Sequence, residues 1–276
     1  MSHRDTMLPA LPAPPEAVRR YTLSRFVGSV ALGIWLAASV GIFLFIVDSW
    51  SVEKLVKYGP NFISGLGVTL TLVSISIVLG AILSLPIAYG RMTKNKWLSA
   101  IAYGYVYFFR GTPLITQLFL VYYGFGSFRP YLEQVGLWTL FRDAWFCALF
   151  TFTLNTAAYQ AEILRGAIQS VPRGQHEASA ALGLPTRIAF LKVILPQAMI
   201  VALRPYGNEI ILMIKGSAIV AIVTVFDLMG ETRRAFSRTY DFQMYLWAAV
   251  LYLIMVEILR NLWTWIENRL TRHLKR

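Results

Sequence analysis

Long apolar runs indicate that this chain folds in a lipid bilayer. The stretches 26–47 and 64–89 contain no charged residue, and about 20 helical residues suffice to cross a hydrocarbon core of about 30 Å. Only 14% of the residues are charged, against about 25% in a typical soluble domain. Because a lipid-exposed span satisfies its backbone as a helix, the sequence predicts an all-α integral membrane protein.

Four further apolar runs, at 97–123, 144–161, 199–226 and 242–263, bring the predicted number of spans to about six. An even number places both termini on one side of the membrane. That side also holds three basic segments, at 91–96, 165–192 and 269–276, so the positive-inside rule makes it the cytoplasm. Arg233, Arg234 and Arg238 fall on the outer side as an exception. This distribution accounts for the net charge of +12 and argues against a nucleic-acid partner.

A four-residue motif, Arg110-Gly111-Thr112-Pro113, interrupts the third apolar run. Pro113 lacks a backbone N–H and disfavours helical geometry at the residue before it. A helix break at membrane depth is tolerated where it packs in protein or lines a cavity. The motif is either the hinge of a gate or a fixed kink, with the kink favoured.

The segment 165–197 is too polar to span the membrane and lies on the predicted cytoplasmic side. Pro172 suits a helix start, and Gly183 suits a left-handed cap that ends the helix. Pro185 prevents the first helix from continuing, and a second short helix is predicted from 186 to 195. The segment is therefore a helix, a tight turn and a helix, which is either an ordinary ordered loop or a docking element for a soluble partner.

This segment resembles the EAA loop of ATP-binding-cassette (ABC) importer permeases. That motif is Glu-Ala-Ala, three residues, Gly, nine residues and Ile-x-Leu-Pro. The matching residues here are Glu177, Ala178, Ser179, Gly183, Val193, Leu195 and Pro196; Ser179 and Val193 depart mildly. The resemblance implies that the loop inserts into a cleft of an ATPase subunit and transmits its closure.

The resemblance continues along residues 62–270 and narrows to polar amino-acid permeases. Its motifs are GLGVTLTL at 65–72, FRGTPL at 109–114, AYQAEI at 158–163, LPQA at 195–198 and NEII at 208–211. The stretches 153–159 and 208–213 resemble the histidine/lysine/arginine/ornithine and octopine permeases. The implied organisation is a flexible cytoplasmic tail (1–25), an extra N-terminal span (26–47), a type-1 ABC permease domain (62–267) and a basic cytoplasmic tail (268–276).

The resemblance implies a type I ABC importer transmembrane domain in a bacterial inner membrane, which takes polar, in particular basic, amino acids or opines into the cytoplasm. Its implied partners are ABC ATPase subunits, a second permease subunit of the same or a related chain, a periplasmic solute-binding protein and membrane lipid. Glutamine, glutamate or another polar amino acid is the alternative substrate. An ion-coupled secondary transporter is the rival class, but no internal repeat is evident and the loop would then have no task.

ATP hydrolysis is expected on a separate subunit. The sequence contains no G-x-x-x-x-G-K-[ST] phosphate loop, and Lys215-Gly216-Ser217 matches only its last letters, at membrane depth. We therefore expect a non-catalytic transport subunit that binds no cofactor or metal of its own, with ATP and magnesium on the ATPase.

Polar residues inside the apolar runs are candidates for the substrate path, because such groups are costly in lipid. Thr151, Asn155, Tyr159 and Glu162 follow at intervals of four, four and three, which places them on one helical face. That face either lines an aqueous path or bonds within the bundle, and Glu162 has Arg165 at i+3 as a simple ionic partner.

A second group comprises Asn208, Glu209 and Lys215 on the fifth run. Glu209 either attracts a cationic ligand or forms an ion pair with Arg204 or Lys215, with the pairing favoured. On the outer side, Arg233, Arg234, Arg238 and Asp241 either dock the binding protein or form a solvated surface helix.

Overall fold

Helix length and the positions of the breaks determine the architecture. The computed structural model describes residues 22–48 and 51–272, so most of the predicted tail 1–25 and the last four residues of the tail 268–276 lie outside the described residues. The chain divides after Trp50 into two units. In the first unit, α1 (Leu23–Asp48) is an apolar helix that covers the predicted extra span.

Every secondary-structure element among the described residues of the second unit is a helix or a helical turn. Its helices are α2 (Val52–Met92), α3 (Lys96–Gly111), α4 (Leu114–Phe119), α5 (Phe125–Ser127), α6 (Arg129–Gln134), α7 (Trp138–Phe141), α8 (Ala144–Gln169), α9 (Arg173–Ala181), α10 (Thr186–Ala189), α11 (Leu195–Ser217), α12 (Leu228–Thr239) and α13 (Gln243–Leu270). A π turn, Leu120–Gly124, joins α4 to α5. A second π turn, Phe190–Ile194, joins α10 to α11, and a 3-10 turn, Ala218–Val223, follows α11.

Four helical segments in the described chain are long and apolar enough to cross a membrane: Leu23–Phe45, Val52–Met92, Thr186–Val223 and Gln243–Leu270. The other two predicted spans differ for physical reasons. The third run is broken after Gly111, which leaves one shorter helix before Pro113 and one after it. The fourth, α8, has 26 residues, but its polar side chains lower its mean hydropathy.

Helices α2 and α8 form the centre of the second unit. Leu72 and Val73 of α2 pack with Ala148 and Phe152 of α8 in the main apolar core, which α4, α11 and α13 complete. Close approach depends on Gly80 of α2, where an added Cβ would collide with the side chain of Thr156. Small residues are therefore used at helix contacts, as membrane helices commonly use them.

The small residues of α2 differ in what lies next to them. An added Cβ at Gly65 would lie 2.8 Å from the carbonyl oxygen of Asp227, and Ser76 is fully buried. Gly67, in contrast, has nothing within 4 Å of its added Cβ, and Ser74 is exposed. The helix turns these two residues away from its neighbours, which sequence composition does not reveal.

Two ends of the bundle are distinguished by their contacts. At the end that we call the Glu162 end, the last turn of α2 meets the last turns of α8 through an ion pair between Arg91 and Glu162. At the opposite end, which we call the Lys54 end, Tyr58 and Phe62 of α2 pack against α12 and the start of α13. Helices α2, α8 and α13 therefore run in the same direction, as the predicted second, fourth and sixth spans require.

Candidate transport pathway and coupling segment

Glu162 lies at the centre of an arginine cluster at the Glu162 end. Its carboxylate is 2.9 Å from Arg91 Nε and 2.7 Å from Arg165 NH2, and Arg110 NH1 lies 3.9 Å away. The predicted pair of Glu162 and Arg165 is therefore confirmed. The two other arginines come from the ends of α2 and α3, so one carboxylate joins the ends of three helices.

A groove of about 350 Å³ opens beside this cluster. Arg110, Tyr159 and Glu162 form its polar side, and Val201 and Pro205 of α11 contribute to its apolar side. The guanidinium carbon of Arg110 lies 5.1 Å from the ring centre of Tyr159, a distance typical of a cation–π contact. The side chain of Arg110 remains 43% exposed, so its guanidinium group is accessible from the groove.

Glu209 lies apart from that cluster and is 5% exposed. Its carboxylate accepts a hydrogen bond of 2.8 Å from the Thr156 hydroxyl, and Gln160 donates to the same hydroxyl oxygen at 3.1 Å. Gln160 also donates to the carbonyl of Ile77. This chain of bonds connects α11 through α8 to α2.

The favoured ion pair of Glu209 is wrong. Arg204 instead pairs with Glu267 of α13, at 2.6 Å. Lys215 is exposed in the last turn of α11, and within the described chain no basic group lies within 4 Å of the Glu209 carboxylate. The reason is helical direction, because Glu209 points into the bundle while Arg204 and Lys215 point out of it.

The helix break at Arg110-Gly111-Thr112-Pro113 is confirmed, and its free carbonyl groups are capped by side chains. The amide of Gln117 donates to the carbonyls of Phe109 and Thr112, and the amide of Asn155 donates to Phe109 as well. Asn155 and Gln117 are themselves bonded at 2.9 Å. The carbonyl groups at the end of a helix need such donor partners, and this dense set of bonds supports the fixed kink.

The predicted polar face of α8 therefore divides into two parts. Thr151 is fully buried and donates to the carbonyl of Cys147 in its own helix, and Asn155 caps the break. Both bond within the bundle. Tyr159 and Glu162 line the groove. Asn208, which was predicted as a path candidate on α11, is exposed and takes part neither in the bonds at the helix break nor in the lining of the groove.

Sequence reasoning missed four residues of these networks as site residues: Arg91, Gln117, Thr156 and Gln160. Thr156 and Gln160 are four residues apart on α8 and form a second buried polar face beside the predicted one. That spacing was a usable signal. The partnership of Arg91 with Glu162 spans 71 positions, so no local pattern indicates it.

The candidate coupling segment, residues 172–196, begins with α9. Pro172 is the N-cap of α9, and Gly183 has the left-handed φ of +68° that the sequence predicted. The N–H of Leu184 donates to the carbonyl of Ser179 at 3.1 Å, and that of Gly183 donates to Ala180 at 2.9 Å. This pair of bonds is the Schellman pattern that terminates helices at a glycine.

The second helix of this segment does not end at Pro196. Helix α10, the π turn and α11 form one continuous helical segment, and Pro196 lies in the first turn of α11, where its missing N–H is tolerated. The π turn accommodates the N–H that Pro196 lacks, and the side chain of Gln197 donates to the carbonyl of Val193 at 2.8 Å. The helical segment Thr186–Val223 therefore runs without a break from α10 to α11, which carries Glu209, and the turn at Gly183 joins α9 to its start.

The outer face of α9 has no covering element within the described chain. Glu177 and Ala178 are exposed, and Leu182 is 77% exposed. Ser179, on the opposite face, is buried and donates to the carbonyl of Gln175. Beneath the segment, Val171 and Ile194 pack with Ala198 of α11 in an apolar cluster. A rigid helix with an exposed acidic and apolar face is suited to docking.

At the Lys54 end, α12 buries Leu228, Thr232 and Ala235 and exposes Arg233, Arg234 and Arg238. Asp241, which follows α12, forms an ion pair with Lys54 of α2. Burial alone raises the pKa of Asp241, but hydrogen bonds from Lys54 and from the Gln243 N–H outweigh burial and hold that pKa below its usual value. Asp241 is therefore a structural anchor, whereas the three arginines form a solvent-facing basic surface.

The fold and the site together define a helical membrane protein with a polar groove and an exposed helix, α9, outside the bundle of long helices. Residues 76–272 match the family described as "Binding-protein-dependent transport system inner membrane component". The chain belongs to this family.

Curated relatives agree with this assignment. The nopaline transport system permease protein NocM of Agrobacterium fabrum is 40% identical over 225 residues, which cover 81% of this chain and 93% of NocM. The histidine/lysine/arginine/ornithine transport system permease protein HisM of Escherichia coli is 39% identical over 213 residues, which cover 77% and 90% of the two chains.

Solved structures show the same architecture. A crystal structure of an amino acid ABC transporter with histidines matches with a TM-score of 0.71 and 36% identity, covering 80% of this chain and 99% of the other. The MetNI methionine ABC transporter, in an inward-facing conformation, matches with a TM-score of 0.65 at 22% identity and supports the fold alone. The fold is that of a type I ABC importer transmembrane domain.

Proposed function

We propose that this chain is the permease subunit of an ATP-driven importer that moves basic amino acids or opines into the cytoplasm of a bacterial cell. The family and the named relatives support the class of transporter. The observation that carries the mechanism is the unbroken helical segment from α10 to Glu209, because it connects the turn after the exposed helix α9 to the interior of the bundle.

ATP hydrolysis belongs to a separate ABC subunit in this proposal, with ATP and magnesium bound there. Glu177, Ala178 and Leu182 would enter a cleft on that subunit, while Ser179 and Gly183 hold the helix and its turn in shape. When the ATPase closes, α9 moves, and α11 moves with it. Alternating access then results from a shift of α11 against α8.

The groove at Arg110, Tyr159 and Glu162 is open along one side, and we infer that a second permease subunit completes the pathway. That subunit is either a copy of this chain or a related one. A periplasmic binding protein would deliver substrate at the Lys54 end, where the arginines of α12 offer a basic contact. This orientation places both termini in the cytoplasm.

The charges in the pathway fit an amino acid that carries both a carboxylate and a cation. Arg110 is exposed to the groove and suits the carboxylate, since guanidinium groups bind carboxylates with two parallel hydrogen bonds. Glu209 has only the Thr156 hydroxyl as partner in the described chain and suits a cationic side chain.

A permease for glutamate or glutamine is the second candidate. Three arginines surround the single carboxylate of Glu162, and this excess of positive charge favours an acidic or neutral ligand at the groove. The two candidates differ in whether Glu209 contacts the substrate during transport.

Reconstitution in proteoliposomes tests the proposal. The chain is combined with its ATPase, its second permease subunit and its binding protein, and uptake of radiolabelled arginine, octopine, glutamine and glutamate is followed with and without internal ATP. We expect ATP-dependent uptake of arginine or octopine. Uptake that an ion gradient drives without ATP would establish a secondary transporter instead.

A further inference from the structure

A second groove lies at the Glu162 end, between the end of α2 and the start of α3. We call it the α2–α3 groove, and its volume is about 410 Å³. Its lining residues are Arg91, Thr93, Lys94, Lys96, Ser99, Ala100 and Tyr103. It shares only Arg91 with the arginine cluster, and transport as described above does not use it.

The shape of this groove follows from residue sizes along one face of α3. Lys96, Ser99, Ala100 and Tyr103 follow at helical spacing, with two small side chains between two long ones. The small residues form the floor, and Lys96 and Tyr103 form the ends. Arg91 closes the inner side, with its guanidinium carbon 4.8 Å from the centre of the Tyr103 ring.

The groove is basic and has no acidic lining residue. Lys94 and Lys96 are exposed and make no ion pair within the described residues. Arg91 bonds Glu162 through Nε alone, so its terminal amino groups can serve a second ligand. Asn95 caps the first turn of α3, and the positive end of that helix adds to the potential.

The outer surface of α3 continues from the groove as an apolar and aromatic face. Trp97 is 83% exposed, Ile101 71% and Tyr107 69%. Aromatic residues of this kind favour the membrane interface, and the apolar side chains beyond them suit acyl chains. A ligand that fits this surface has an anionic head and an apolar tail.

We propose that the α2–α3 groove binds the phosphate headgroup of an anionic phospholipid, such as phosphatidylglycerol or cardiolipin. The phosphate contacts Lys94, Lys96 and the terminal amino groups of Arg91, and the acyl chains follow the exposed face of α3. Basic pockets between membrane helices bind such headgroups in other proteins. The bound lipid would join α2 and α3 next to the arginine cluster.

Native mass spectrometry of the intact complex tests the proposal without measuring transport. The complex in detergent is titrated with phosphatidylglycerol, cardiolipin and, for comparison, phosphatidylcholine. The double variant Lys94→Gln with Lys96→Gln is expected to bind the two anionic lipids about 25-fold more weakly, at roughly fivefold for each of the two basic residues removed. The matched control, Arg269→Gln with Arg272→Gln, removes the same charge from the end of α13 and is expected to change binding less than twofold.

A third variant, Ala100→Trp, fills the floor of the groove and keeps every charge. Loss of anionic-lipid binding in this variant supports a shaped site, and retained binding would overturn it. Equal losses in the two charge-removal variants would also overturn the proposal in favour of nonspecific surface charge.

Two further outcomes would assign the groove to another ligand. Competition by glycerol 3-phosphate at the concentrations at which the lipids bind would indicate a site for soluble phosphates. Loss of the ATPase subunit from the lysine variant, with lipid binding unchanged, would indicate a protein contact. Both outcomes contradict a lipid site.

Discussion

Thr156 on α8 donates a hydrogen bond of 2.8 Å to the carboxylate of Glu209 on α11, and this bond connects the helix that lines the groove to the helix that continues from the coupling segment. Glu209 is 5% exposed. A buried carboxylate with one hydroxyl partner is costly, and a cationic substrate that contacts Glu209 during transport would reduce that cost.

Glu209→Gln is the first test of that idea. We expect the substitution to lower kcat/KM for basic amino acids by roughly tenfold or more, because a hydrogen bond to a charged group contributes about 1.5–3 kcal/mol. Uptake of neutral amino acids should change little, as measured in reconstituted vesicles. Thr156→Val is the matched control, since it removes the bond and leaves the carboxylate in place. Equal loss for basic and neutral substrates in Glu209→Gln would indicate a structural role.

Arg110→Gln tests the carboxylate contact in the groove. The guanidinium group lies against Tyr159 and 3.9 Å from Glu162, so its removal leaves Arg91 and Arg165 to hold Glu162. We expect KM for every amino-acid substrate to rise by roughly tenfold, because a charge-assisted contact is lost. The affinity of the soluble binding protein for the amino acid should stay unchanged. Unaltered KM would exclude Arg110 from the substrate path.

Two glycines of α2 provide a matched pair for the helix contact. Gly65→Ala places a Cβ 2.8 Å from the backbone oxygen of Asp227, and we expect it to lower the free energy of unfolding by about 1–3 kcal/mol. Gly67→Ala meets nothing within 4 Å and should be neutral or stabilise the helix by up to about 1 kcal/mol. Thermal unfolding in detergent measures both. Equal effects would contradict the packing of Asp227 against Gly65.

The ion pair of Lys54 and Asp241 predicts a dependence of stability on pH. Because the folded-state pKa of Asp241 is lowered, its contribution is fully present above the unfolded pKa of about 3.9 and is lost as the pH falls through the folded-state pKa. We expect Asp241→Asn to have a lower Tm than the unsubstituted protein at pH 7. At pH 3 the difference between the two Tm values should be smaller. A constant difference across that range would exclude titration of Asp241 as the cause.

The basic surface of α12 is the contact that we propose for the binding protein. Arg233→Glu with Arg238→Glu reverses two exposed charges and should weaken association with the binding protein by at least tenfold at low ionic strength, with a smaller effect in high salt. Lys57→Glu, a nearby exposed charge on α2, is the control. Surface plasmon resonance at two salt concentrations distinguishes a specific contact from a solvated helix.

The sequence was sufficient where local chemistry determines structure. Gly183 and Pro185 predicted the turn between α9 and α10, and Pro113 predicted the break after α3, since each residue restricts its own backbone. It was insufficient where partners are distant in the chain. Glu209 and Thr156 are 53 positions apart, and whether Glu209 pointed toward Arg204 or into the bundle depended on packing that no local pattern encodes.

The continuity of α10, the π turn and α11 was also beyond local reasoning. Pro196 and the polar character of the segment suggested a helix end, but the π turn accommodates the missing N–H and Gln197 bonds the carbonyl of Val193. The predicted domain limits of 62–267 and the partner assignments remain predictions.

Glu177→Ala measures the central claim most directly. The variant is assembled with the ATPase, the second permease subunit and the binding protein, and ATPase association and ATP-driven uptake are measured beside Gln175→Ala, an exposed control on the same helix. We predict that Glu177→Ala inserts normally into the membrane but loses ATPase association or uptake by at least tenfold, while Gln175→Ala retains both. Unchanged ATPase association together with unchanged uptake in Glu177→Ala would contradict the assignment of α9 as the coupling helix.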